Sequence, residues 1–444
     1  MYTIQNPLEN KNGTLYIDGV STLDLARQFD TPLYVYSGSR IRDNCRRIKS
    51  AFKKYYPKFR FYYAVKANNN LALLHLIKQE ADGFDCAAIE EIELALKAGA
   101  KPNEILYSGV YNRNEELAFA LKAGVNINLE GISQLKRLLL LKSKISKGLE
   151  NSKNFQNKIK TPEFISFRVN PGIQGGKYKK LVFAGPDAKF GIIEKDILEA
   201  YTIAKDAGIK KFGIHMMTGS CVLNPEYFEK ATEKLLEIAE RINKELGITF
   251  EFIDIGGGLG IPYESPEKEL DLDLTAKKVA TVFKEKAKLL GNPYLMIEPG
   301  RYVVGDASIL LTKVHSIKQA YKKFIGVDAG MNTLLRPMLY DAYHQIFAAN
   351  KLNEKPSEKA NIAGPVCENT DQLAKDRLLP KLEEGDLLAV LNAGAYGFSM
   401  ASQYNTRPLP AEVLVTNGKA ELIRKRETVE DIYRNVIVPK RLGK

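Results

Sequence analysis

The stretch FEFIDIGGGLG, residues 250–260, ends an apolar run in three consecutive glycines, Gly256, Gly257 and Gly258. The run up to Ile255 predicts a strand, and the glycines a tight turn after it. Such a turn lets backbone N–H groups come close to a phosphate, and a plain structural turn is the other reading. Its place in the chain decides the fold. In a doubly wound open sheet the glycine-rich turn follows the first strand. Here it follows the seventh. Strand-like runs precede it at 61–65 (FYYAV), 83–88 (GFDCAA), 105–109 (ILYSG), 126–130 (NINLE), 164–170 (FISFRVN) and 211–217 (KFGIHMM), and YLMIEPG follows at 294–300. The segments between them, EEIELALKAG among them, space their apolar residues as helices do. Eight βα units in about 250 residues describe an α/β protein with a (β/α)8 barrel.

The pattern changes after about residue 307. SILLTKVHSI, KKFIGVDAG, DLLAVLNAGAYG and EVLVTNGKAELIRKRE read as strands with few long helices between them. Asn417-Gly418 inside VTNGKA is a two-residue hairpin signal. The expected division is a barrel over 31–306 and a C-terminal β-sandwich or β-barrel domain over 307–444, which the short strands of residues 1–30 join.

Composition narrows the function classes. The 444 residues carry a net charge of +12 and an ordinary share of apolar residues. The one dense basic patch, KSKISKGLENSKNFQNKIK at 142–160, has Phe155 as its lone aromatic and reads as a solvated insertion rather than a nucleic-acid surface. No run reaches the roughly 18 apolar residues of a membrane span, and MYTIQNPLENKNGTLYIDG has no signal-peptide pattern. Cys45, Cys86, Cys221 and Cys367 lack metal-site spacing, so no metal is expected, and free thiols fit a reducing, cytoplasmic setting.

Barrel enzymes work at the carboxyl ends of their strands. Those ends present Lys66, Asp85, Arg168, His215 to Ser220, the glycine run, Glu298 and Arg301. Lys66 ends FYYAV, where a lysine either snorkels into solvent or does chemistry. Arg301 suits a phosphate, a carboxylate or a surface ion pair. A phosphate-holding loop with a lysine and an acid suggests pyridoxal 5′-phosphate. That cofactor needs an amine for its aldehyde and an acid on its ring nitrogen. Burial would keep the amine neutral enough to attack.

Eight further stretches carry a resemblance. They are YYAVKAN (62–68), KFGI (189–192), HMMTGS (215–220), GGGLGIPY (256–263), EPGR (298–301), RPMLYDAYH (336–344), GPVCENTD (364–371) and NAGAYGFSMASQYNTRP (392–408). In this order, over nearly the whole chain, they resemble the diaminopimelate decarboxylase family, among the alanine-racemase-like pyridoxal-phosphate decarboxylases. The resemblance implies decarboxylation of meso-2,6-diaminopimelate to L-lysine. It implies that Lys66 forms the Schiff base and that Asp85 lies near it, ion-paired with Arg168. Ser220, Gly256–Gly258, Arg301 and Tyr396 would hold the phosphate, and Glu298 the pyridine nitrogen. Arg301, Arg336, Tyr340 and Tyr396 would bind substrate, Arg336 taking the distal carboxylate and Glu368 the distal ammonium. Cys367 would donate the proton that replaces carbon dioxide. In this family Cys367 and Glu368 come from the partner subunit, which implies a homodimer acting on a small amino acid.

The chain departs from the family at one position. Met217 stands where the family has a histidine stacked on the cofactor ring, and His215 matches an earlier histidine. A thioether can pack on a ring but supplies no proton. The alternatives are a decarboxylase of ornithine, arginine or another basic amino acid, and a catalytically silent relative. Glu368 next to Cys367, with Arg336 present, favours diaminopimelate.

Overall fold

A computed structural model describes residues 6–146, 162–178 and 180–443. The basic patch falls mostly outside them, since 147–161 are not described. The chain divides into two compact units. One is Arg42–Pro262 with Lys268–Val303, and the other is Met1–Ile41 with Tyr263–Glu267 and Val304–Lys444.

The first unit is the barrel. Its strands are β1 (Phe59–Ala64), β2 (Gly83–Cys86), β3 (Ile105–Tyr107), β4 (Asn126–Leu129), β5 (Phe164–Asn170), β6 (Lys211–His215), β7 (Phe252–Asp254) and β8 (Tyr294–Ile297). All eight expected strands are present, each parallel to the next. The ring closes where Leu295 of β8 pairs with Phe59 of β1. Nearly every strand residue is buried, as a parallel sheet covered by helices requires. Tyr62, Leu106, Phe252 and Met296 form a cluster inside this unit, with Phe164 and Tyr294 packed against it. Phe164, Phe252 and Tyr294 each open a strand, so aromatics fill the amino-terminal end and leave the carboxyl ends to polar side chains. The helix Pro225–Leu246 shows how local signals fix the outer layer. Asn224 caps it by accepting the Glu226 N–H, Pro225 fills its first turn, and Gly247 ends it in the left-handed conformation. Its buried face, Phe228, Ala231, Leu235, Ala239 and Ile242, repeats at helical spacing.

The second unit is sheet-rich. Ser308–Gln319 pairs with Lys323–Val327, Leu387–Leu391 and Leu33–Ser37. Leu33–Ser37, inside the span read as barrel, is a fully buried strand of this sheet and also pairs with Ala411–Thr416. Alternate residues of these strands, Leu33, Val35, Ile309, Leu311, Leu387, Ala389, Val413 and Val415, meet in one core. The Asn417-Gly418 hairpin is as expected. It joins Ala411–Thr416 to Lys419–Arg424 with φ of +51° and +73° at its two turn residues.

Candidate active site

Lys66 sits on a single tight turn, Val65–Ala67, just past the end of β1. The polar residues after it start the next helix: Asn70 caps Leu71–Lys78 by accepting the Ala72 N–H. The Lys66 side chain is 40% exposed and donates to Asp85 Oδ2 at 2.6 Å. Register explains the meeting, because Asp85 of β2 pairs with Ala64, two residues before the lysine. Burial and the nearby Glu298 push the Asp85 carboxyl up, against the pull of Lys66.

The expected Asp85–Arg168 pair is not what forms. Arg168 is bonded to Glu130 at 2.8 Å, both side chains being buried. Leu129 pairs with Phe167, so the next residues on β4 and β5, Glu130 and Arg168, stand side by side. Glu130 ends the NINLE run, yet nothing in the sequence singles it out.

Two acids and a histidine share the core of the rim. His215 Nε2 is 3.2 Å from Glu298 Oε2, and the Asn128 amide is 3.0 Å from His215 Nδ1. Burial works to raise the Glu298 carboxyl, but the pull of His215 overrules it and holds the group down at about 2. Asp254, fully buried at the end of β7, is pushed well above the usual carboxylate range, by burial first and by Glu298 second. One atom each of His215, Asp254 and Glu298 lies within 4.8 Å of the others. By count this set could hold a divalent ion. It also suits a shared proton, since a protonated Asp254 can donate where two carboxylates would repel. Asp254 is a site residue that the sequence reading misses. An acid inside the apolar FIDIGGG run is its signal.

The glycine loop is squeezed between neighbouring strand ends. A Cβ on Gly256 would lie 2.3 Å from Met216 O, and one on Gly257 2.4 Å from Glu298 O. Gly256 also has φ of +75°. Asp254 Oδ1 accepts the Gly256 N–H at 2.8 Å, and Met217 Sδ accepts the Gly257 N–H at 3.3 Å. Beside the loop, Arg301 donates to Ser220 Oγ at 3.1 Å, both residues being buried.

The remaining expected residues belong to the sheet-rich unit. Arg336 is the largest of its fully buried side chains and donates to Tyr263 OH at 3.1 Å and His344 Nε2 at 3.0 Å. His344 Nδ1 faces Leu391 O at 2.8 Å, which places the imidazole proton on Nδ1 and leaves Nε2 to accept. Tyr340 and Tyr396 are half-buried, and Tyr396 has φ of +56°. Cys367 and Glu368 are exposed. Glu368 accepts from Tyr404 at 3.0 Å and from Thr370.

Residues 39–305 match the pyridoxal binding domain of the pyridoxal-dependent decarboxylases. The chain belongs to that family. It is 48% identical to a diaminopimelate decarboxylase of Methanothermobacter thermautotrophicus over 98% of both chains. It is 38% identical to one of Aquifex aeolicus over 96% of this chain and 97% of that one. A diaminopimelate decarboxylase of M. jannaschii, solved with L-lysine, superposes with a TM-score of 0.88 at 33% identity, covering 98% of this chain and 99% of the other.

As a pyridoxal-dependent decarboxylase the chain uses pyridoxal 5′-phosphate, and the residues at the barrel rim fit that group. Among the described residues Glu298 Oε1 is buried with no hydrogen-bond partner, as an acid awaiting a ring N–H would be. Main-chain oxygens leave no room for a Cβ on Gly256 or Gly257, so the loop itself carries no side chain there. A primary amine, Lys66, lies at the same rim.

Proposed function

We propose that this decarboxylase acts on meso-2,6-diaminopimelate and releases L-lysine and carbon dioxide. The observation that carries the site assignment is Glu298: a buried carboxyl, held ionised beside His215, with one oxygen unpartnered among the described residues and Lys66 within electrostatic reach. Bound pyridoxal 5′-phosphate supplies the electron sink that accepts the pair left when the carboxylate departs. This chain's residues do the rest. Lys66 offers the amine that holds the cofactor, and Asp85 orients it. Glu298 keeps a proton on the ring nitrogen. The Gly256–Gly258 loop, with Ser220, Arg301 and Tyr396, would take the phosphate. Met217, pinned by Gly257, offers its thioether to the ring.

Substrate selection falls mostly to residues of the sheet-rich unit. Diaminopimelate has an ammonium and a carboxylate at its far end. Arg336 meets the carboxylate bidentately, with Arg301, Tyr340 and Tyr396, and Glu368 meets the ammonium. A substrate lacking either charge would leave its partner unpaired. Cys367 delivers the proton to the carbon that lost carbon dioxide. The exposure of Cys367 and Glu368 on the single chain supports their reaching the site of a partner subunit, so the working unit is a homodimer. Among the described residues no helix is long and apolar enough to cross a membrane. Four free thiols support a cytoplasmic setting.

The test is carbon dioxide release from meso-diaminopimelate by the purified protein with pyridoxal 5′-phosphate. Lysine should accumulate one for one with the gas. Release from ornithine or arginine at comparable kcat/KM would move the substrate to another basic amino acid, and no release from any would make the chain a silent relative.

A further inference from the structure

The stretch Tyr404–Arg407 of the sheet-rich unit takes no part in the chemistry above. It lies along the loop that carries Cys367 and Glu368 and bonds to it three times. Arg407 donates to Pro365 O at 2.9 Å. Asn405 Oδ1 accepts the Cys367 N–H at 2.8 Å. Tyr404 donates to Glu368 Oε2 at 3.0 Å. From the other side, Asp371 accepts the N–H groups of Val366 at 2.7 Å and Met331 at 2.6 Å. Asn405 has φ of +56°, a conformation that asparagine tolerates better than most side chains. That kink separates the bonds of neighbouring residues: Tyr404 meets a side chain, and Asn405 meets the backbone one residue earlier.

The two bonds do different work. Thr370 donates to one Glu368 oxygen and Tyr404 to the other, which fixes the plane of the carboxylate and holds the group below the usual range. An exposed glutamate without them would sample several rotamers. The Asn405 bond instead fixes the peptide of Cys367 and so the height of its Cα, leaving the thiol itself unbonded by this segment. We propose that Tyr404 and Asn405 are positioning residues with separate targets: Tyr404 aims Glu368 at the substrate's ammonium, and Asn405 aims the Cys367 thiol at the carbon it protonates. This rests on the roles given above to Glu368 and Cys367.

Separate targets predict separate kinetic defects. In the holoenzyme, Tyr404→Phe should raise KM for diaminopimelate about three- to tenfold, the usual effect of one lost hydrogen bond to a charged group, with kcat within about twofold. Asn405→Gly keeps the left-handed backbone without strain but removes the acceptor. It should lower kcat about three- to tenfold with KM nearly unchanged. Asn405→Asp restores an acceptor oxygen and should bring kcat back. A readout without turnover is the rate at which iodoacetamide alkylates Cys367, the one exposed cysteine of the four. Asn405→Gly should change that rate, and Tyr404→Phe should not. If both variants move KM and kcat by the same factor, or neither moves them, the inference is overturned. Glu368→Gln and Cys367→Ala tell the levels apart. If these two leave the kinetics intact, the roles of Glu368 and Cys367 fall and the positioning with them. If they act as expected and the Tyr404 and Asn405 variants do not, the positioning alone fails.

Discussion

Lys66 Nζ and Asp85 Oδ2 meet at 2.6 Å, one side chain partly exposed and the other wholly buried. The pair brings the amine to the rim, but it is the amine's chemistry that the enzyme needs. Lys66→Arg tests the difference. A guanidinium can keep the ion pair with Asp85 and cannot take the cofactor aldehyde covalently. The expected outcome is an unchanged Tm with complete loss of the visible absorption band of the lysine-bound cofactor and of activity. A band that survives in Lys66→Arg or Lys66→Ala would remove Lys66 from its role.

Gly257 has no room for even one carbon. Its Cβ would lie 2.4 Å from the main-chain oxygen of Glu298, which cannot swing away as a side chain can. Gly257→Ala therefore pushes the loop from β8 and displaces Glu298 at the same time. We expect a stability loss of about 2 kcal/mol or more and a still larger loss of pyridoxal 5′-phosphate affinity. The control is Gly385→Ala, at a turn where a Cβ meets nothing within 4 Å. Its φ of +95° costs stability but leaves cofactor affinity alone. Equal losses of affinity in the two variants would show that the effect is general loosening.

Arg336 is buried against Tyr263 and His344, with the His344 proton committed to Leu391 O. An imidazole that donates from Nδ1 and accepts at Nε2 can stay beside a guanidinium. Arg336→Lys keeps the charge and loses the planar fork, so a carboxylate can no longer be held by two parallel bonds. KM for diaminopimelate should rise about tenfold or more, with the cofactor band unchanged. An unaltered KM would take the distal carboxylate away from Arg336.

What could be read in advance follows the physics of each signal. The barrel strands are apolar over their whole length, so buried parallel strands stand out from the helical spacing between them, and the glycine run marks one strand end. Lys66 and Glu298 are legible because they end such runs. Residues that matter through a neighbour are not. The Glu130–Arg168 pair follows from the β4–β5 register, which fixes which residues stand abreast. Asp254 lies one residue inside the strand-like run, where sequence cannot say which face a side chain takes. Leu33–Ser37 reads like any buried strand, and only its partners place it in the sheet-rich unit.

Glu91 gives the fold a pH dependence of its own. It lies in the first turn of the helix Ile89–Lys97 and accepts the Ala87 N–H at 2.6 Å. Burial pushes its carboxyl from 4.5 up to about 7, more than that bond and Lys66 pull it down. Between those values the folded protein holds a proton there that the unfolded chain has released. Its contribution is therefore full below pH 4.5 and is lost as the pH rises through about 7. Glu91→Gln is neutral at every pH, and its side-chain oxygen can still accept the Ala87 N–H. Its Tm should match the parent's at about pH 5 and exceed it by about 1–3 °C at about pH 8. Thermal unfolding of both proteins across that range decides the matter. Curves that stay parallel would mean that Glu91 loses its proton as easily in the fold as in the open chain.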